Sequence, residues 1–194
     1  MITNRRNFLK SAGMLTAAAA LFNPATIFAQ KGVKKSGGSK KLELSFVPYN
    51  AQMKHAFAIA TSVRTTTPIV LTQITYDGVT GYGEAAMPPY LGETQASVIE
   101  FLKKVDLSKF SSPFLIDDIM KYVDSIAINN TAAKAAVDIA LHDLVGKLMG
   151  LPWWRIWGLD AAKAPSTTFT IGIDTPDVVR EKTRECADRF NILK

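Results

Sequence analysis

The sequence predicts an α+β unit, an antiparallel sheet with helices, followed by the beginning of a parallel β-α-β arrangement. Three observations carry this. Residues 42–76 hold stretches with a two-residue apolar period or a β-branched run, as half-buried or central strands require. From residue 93 the apolar spacing changes to the helical period. Between 167 and 194 an apolar stretch, a charged helical stretch and a second apolar stretch follow one another, the order of a parallel crossover.

Residues 42–47 alternate Leu42, Leu44 and Phe46 with polar neighbours, and form the first expected strand. Residues 57–63 form a second candidate. Residues 69–76 form a third, dense in β-branched side chains. Asp77 and Gly78 mark a tight turn, and 80–84 a short return strand, for three or four strands in all. A helix over 93–105 places Val98, Phe101, Leu102 and Val105 on one face, and one over 114–126, after Pro113, does so with Leu115, Ile119, Val123 and Ile126. Asn130 has the chemistry of an N-cap for a helix over 131–149. That helix is apolar on most sides, so deep burial is expected. Gly150 ends it, and Pro152 follows. A strand over 167–173, a helix over 177–189 and a strand opening at 190–194 complete the chain.

The N-terminal 41 residues stand apart. The run NRRNFLK at 4–10 sets paired arginines ahead of an uncharged, alanine-rich stretch at 12–22. That stretch is shorter than the roughly 20 residues a membrane-spanning helix needs. With Ala29 as the small residue at a cut, residues 1–29 read as a twin-arginine signal peptide. Delivery to the periplasm without a stable membrane anchor is expected, with the twin-arginine translocase as a transient partner. Residues 30–41 are a Lys-, Gly- and Ser-rich linker.

The formal net charge of +6 belongs to this leader and linker. Arg5, Arg6, Lys10, Lys31, Lys34, Lys35, Lys40 and Lys41 lie there with no acidic residue, so from Leu42 onward 15 basic residues face 17 acidic ones. Nothing in that balance calls for nucleic acid. Cys186 is the sole cysteine, so no intramolecular disulfide is available, and a packed thiol is the expected role.

The segment AKAAVDIALHDLVGK at 133–147, with GLP at 150–152 and WG at 157–158, resembles a signature of the enolase superfamily, muconate-lactonizing subgroup. The strand-turn VTGYGEA at 79–85 and the stretches TFTIGIDTP at 168–176 and NILK at 191–194 extend the resemblance over 42–194. Within the subgroup the match is to dipeptide epimerases. The resemblance implies an α+β capping domain over 42–160 and the start of a (β/α)8-type barrel over 161–194. It implies a magnesium ion on three acidic ligands and two lysines facing each other across the α-carbon. One lysine removes the α-proton and the other returns it on the opposite face, with the metal offsetting charge that develops in the intermediate.

By the same resemblance Lys194 aligns with the first lysine of a Lys-x-Lys pair. The base, the magnesium ligands and the second lysine are expected beyond residue 194, so no complete catalytic group and no metal ligand is expected here. A fragment inactive alone is the expectation. Thr170, on the first barrel strand, is the expected substrate contact, with Lys194 beside the missing base. A specificity arginine of glutamate-selective relatives aligns with Ser62, with Arg64 two residues later on the same strand face; this leaves a neutral dipeptide open as substrate. His142, Asp138 and Asp143 are read as helix packing and ion-pair residues, and His55 has no assigned role. Two alternatives remain, another enolase-superfamily reaction such as cycloisomerisation, or a non-catalytic module. A homo-oligomer is left open.

Overall fold

The computed structural model describes residues 23–30, 40–60 and 62–194. The twin-arginine motif, the apolar run 12–22 and residues 31–39 of the linker lie outside the described residues. Three strands, β1 (Glu43–Ile59), β2 (Ser62–Tyr76) and β3 (Val79–Ala86), form an antiparallel sheet in the order β1-β2-β3. The central strand explains its own β-branched run. Val70, Thr72 and Ile74 are buried on one face, and Ile69, Leu71 and Gln73 on the other. A strand covered on both faces loses the polar alternation of an exposed one. Asp77 and Gly78, both at positive φ, make the two-residue turn into β3.

The expected strand over 57–63 is not one strand. Residues 43–59 form a single strand, and the chain reverses between Ile59 and Ser62, so that stretch straddles a hairpin turn. Its apolar side chains project past the core, with Ile59 and Val63 exposed. No Gly or Pro marks the reversal, which hid it from the residue pattern. The ladder changes register between Gln52 and Phe57, where the hairpin leaves the body of the sheet.

The inner face carries three helices, α2 (Gln95–Leu102), α3 (Ile116–Ile126) and α4 (Thr131–Met149). Val98, Phe101 and Leu102 of α2 and Ile119 and Val123 of α3 join Ala133, Val137, Leu141 and Leu144 of α4 over Val70 and Ile74. Helix α2 begins with a reciprocal capping box between Thr94 and Ser97. Helix α4 lies directly on β3. A Cβ at Gly81 would fall on the carbonyl of Ala140, and one at Gly83 on that of Ala136, so only glycine permits this approach. The buried Thr72 hydroxyl donates to the Ala136 carbonyl at 3.0 Å and ties the helix to the central strand.

Two expectations for α4 change. Ile139 is 50% exposed, so one stripe of the helix is open. Asn130 occupies the N-cap position, but in the left-handed region and with no capping bond from its side chain; its amide donates to the Ile128 carbonyl. The cap comes from Glu93, whose carboxylate accepts from the Ala132 amide at 3.1 Å and the Thr131 hydroxyl at 2.9 Å. A distant carboxylate has displaced the local amide because it offers full negative charge to the helix N-terminus.

The sheet's outer face is covered by α1 (Pro24–Gln30), with Ile27 and Phe28 set among Val47, Ile69 and Leu71. After α4 a short helix, α5 (Trp153–Ile156), leads to β4 (Thr168–Phe169), α6 (Pro176–Ala187) and β5 (Ile192–Leu193). Strands β4 and β5 are parallel. Each is shorter than the apolar run that predicted it. Among the described residues β4 and β5 have only each other as ladder partners, and most of 160–168 is exposed. No helix among the described residues is long and apolar enough to cross a membrane.

Candidate functional site

The end of β4 and the tip of the β1–β2 hairpin meet. The Ile173 amide donates to the Ala58 carbonyl at 3.0 Å. Gly172 approaches so closely that an added Cβ would lie 3.0 Å from the Ala58 nitrogen. Between them is a cavity of about 280 Å³. Met53, Ala56 and Phe57 line it from the hairpin, Thr170, Ile171 and Gly172 from the strand end, and Lys182 and Cys186 from α6. A mainly apolar wall with few polar groups is the ordinary form of a small-molecule site.

Thr170 and Lys194 come together. The Lys194 amide donates to the Phe169 carbonyl at 3.0 Å, and the Ile171 amide donates to the Lys194 carbonyl at 2.8 Å. This alternation on 169 and 171 puts Lys194 directly beside Thr170 in the parallel ladder. Both stand at the C-terminal ends of their strands, where barrel enzymes place their sites. Arg64 pairs with Phe57 across the hairpin. Residues directly opposite in an antiparallel pair project to the same face, so Arg64 shares the face of Phe57, which lines the cavity. Ser62 pairs with Ile59 at the hairpin end, and its side chain lies outside the described residues.

Lys182 and Gly172 are among the cavity residues that the sequence reading did not single out. Lys182 sits on α6 with its ammonium 3.0 Å from Oδ2 of Asp174 and its side chain only 14% exposed. The hydrogen bond from this ammonium, then that from the Thr175 amide, holds the Asp174 carboxyl below its usual range. An acid in a strand-helix loop with a cation eight residues on is the signal that points to this pair. Gly172 had no signal beyond its place at a strand end. Cys186 is buried in the cavity wall.

Away from the cavity, the His142 ring packs against Trp153 with centroids 4.6 Å apart. Its Nδ1 lies 3.1 Å from Oδ1 of Asp138. Asp143 accepts from the Tyr82 amide at 2.8 Å and pairs with Lys147. Burial, and then the Asp143 charge, push the Tyr82 phenol upward from its ordinary range. These groups lock α4 against β3 and the turn into α5. Among the described residues no three His, Cys, Asp or Glu side chains converge as a metal site, and no carboxylate lines the cavity.

Comparison with known proteins adds two sequence families and several relatives. Residues 41–158 match the family described as mandelate racemase / muconate lactonizing enzyme, N-terminal domain. Residues 3–22 match the twin-arginine translocation pathway signal sequence, which marks the chain for export by that route. The chain is 57% identical over 196 residues to an L-Ala-D/L-Glu epimerase of Bacteroides thetaiotaomicron, covering 98% of this chain and 51% of the relative. An L-Ala-D/L-amino acid epimerase of Pedosphaera parvula is 35% identical over 79% of this chain and 45% of its own. A solved dipeptide epimerase of Enterococcus faecalis, complexed with Mg and L-Leu-L-Tyr, superposes with a TM-score of 0.66 at 30% identity, over 79% of this chain and 44% of that one. The chain spans about half the length of the curated relatives it matches.

Proposed function

The chain belongs to the mandelate racemase / muconate lactonizing enzyme family, and from that premise we propose that its parent protein is an exported dipeptide epimerase. The reaction inverts the α-carbon of a dipeptide's C-terminal residue. The observation that carries the reading is the 57% identity, across nearly the whole chain, to an L-Ala-D/L-Glu epimerase. The placement of Thr170 beside Lys194 at strand ends, under the hairpin carrying Arg64, agrees with it.

In this proposal the residues here bind and orient. The Thr170 hydroxyl donates to or accepts from the dipeptide backbone. The Lys194 ammonium is a fixed positive charge that lowers the pKa of a neighbouring base lysine. Arg64 pairs with the side-chain carboxylate of a C-terminal glutamate. Solved dipeptide epimerases carry magnesium, which neutralises the carboxylate next to the acidic carbon, and magnesium is proposed for the parent protein. The described residues supply no donor set for it, so no step is derived through it. We place the enzyme in the periplasm, acting on peptides released from the cell wall.

The test is solvent exchange. Full-length protein with magnesium and L-Ala-L-Glu in deuterated water should incorporate deuterium at the glutamate α-carbon and accumulate L-Ala-D-Glu. No α-exchange with any member of a dipeptide panel would sink the reading. Arg64→Gln should raise KM for L-Ala-L-Glu about tenfold, the order of one charge-assisted hydrogen bond, and alter L-Ala-L-Leu turnover far less.

A further inference from the structure

The outer face of the sheet has an unexpected cover. Val47, Ile69 and Leu71 project from β1 and β2 away from α4, and all three are buried. What buries them is α1, through Ile27 at 7% and Phe28 at 2% exposure. The Phe28 and Tyr82 rings are tilted with centroids 6.3 Å apart. Tyr49 and Ala51 complete the rim of the patch. The helix has a built beginning. Oδ1 of Asn23 accepts from the Ala25 amide at 3.0 Å, and the Asn23 carbonyl accepts from Thr26 and Ile27, the arrangement of an asparagine N-cap.

This packing bears on where the leader ends. A cut after Ala29 would remove both side chains that seal the face. Three adjacent aliphatic residues and two tyrosine rings would then lose their cover, an apolar patch that soluble proteins avoid unless it binds something. Signal processing also reads small residues at the position before the cut and two residues earlier. For a cut after Ala29 the earlier position is Ile27, which is β-branched and buried. Cleavage further requires the chain to open locally, and residues 24–30 are helical. The matched export signal stops at residue 22, immediately before Asn23. The alanine run at 17–20 supplies the small-x-small spacing upstream.

We propose that α1 is a permanent part of the exported protein, the lid of the sheet's outer face, and that any processing of the leader falls before Pro24 and not after Ala29. The proposal is independent of the reaction the protein catalyses.

The experiment is the intact mass and N-terminal sequence of the full-length protein recovered after export. A mature chain that still contains all of Pro24–Gln30 is the expected result. A chain that begins later, such as one beginning at Gln30, overturns the proposal and leaves the face free for a second copy or another partner. A second measurement does not depend on processing. Amide hydrogen exchange of the peptide covering 24–30 should be slowed at least tenfold relative to the same peptide alone. Phe28→Ala should abolish that protection and lower the melting temperature by roughly 5 °C. Unprotected amides in the parent protein, or an unmoved melt in the variant, overturns it equally.

Discussion

Strand β2 and strand β4 show two ways of holding a strand in one chain. β2 has a ladder partner on each side, helices on one face and α1 on the other, and seven consecutive residues from Ile69 to Thr75 are buried. Among the described residues β4 has one partner, two paired residues and no buried side chain. The sheet unit fixes its geometry by close packing, so its backbone tolerates almost no added volume. The β-α-β unit fixes its geometry with a few polar links, Ile173 to Ala58 and Lys182 to Asp174.

That contrast can be broken most forcefully at Gly83. Gly83→Ala places a methyl on the Ala136 carbonyl, so β3 and α4 must separate. A loss of about 3 kcal/mol or more, at or beyond the top of the usual overpacking range, is expected in urea titration. The next largest effect is Leu141→Ala, which empties a fully buried site and should cost about 2–5 kcal/mol. Its counterpart in the second unit, Ile192→Ala, removes a side chain that is 46% exposed and should cost less than about 1 kcal/mol. Equal losses at Leu141 and Ile192 would erase the distinction between the units. Glu93→Gln keeps the shape of the α4 cap but not its charge, and should cost about 0.5–1 kcal/mol, screened by salt.

The smallest expected effect is a pH dependence. The folded-state pKa of Asp174 lies below its unfolded value, because the Lys182 ammonium and the Thr175 amide hold the carboxylate. Its contribution to stability is therefore complete above the ordinary aspartate pKa near ~3.9. It is lost as pH falls through the lower folded value. Asp174→Asn should flatten the fall of melting temperature in that window. Some slope will remain, because Ser108 holds the Asp106 carboxyl down in the same direction.

The sequence and the structure agree best where the pattern is long and periodic. Val98, Phe101, Leu102, Ile119 and Val123 are legible from spacing alone, and each is buried. Gly150 stops α4 at positive φ as its residue type required. Agreement fails where a distant group decides. The hairpin reversal after Ile59 lacks a Gly or Pro, and β1 continues through a register shift that no local period encodes. Asn130 carries the right local chemistry for a cap, yet Glu93 supplies it. At the candidate site, the adjacency of Thr170 and Lys194 follows from a strand-helix-strand order visible in the residues. The eight-residue spacing of Asp174 and Lys182 marks their pairing, but that Lys182 and Gly172 face a shared cavity depends on which elements meet across space, and no spacing announces that.

The Glu93 cap also has a consequence for the order of assembly. Its partner amide at Ala132 is 39 positions away in the chain, and closing a loop of that size carries an entropic cost of about 3 kcal/mol. The first turn of the longest helix therefore lacks its anionic cap until the intervening segment has collapsed onto the sheet. Helix α2, whose box joins Thr94 to Ser97, pays no such closure. Nucleation of α4 is in this sense a tertiary event. Carboxylate removal at Glu93 should speed unfolding much more than it slows folding, the signature of a contact made after the barrier has been crossed.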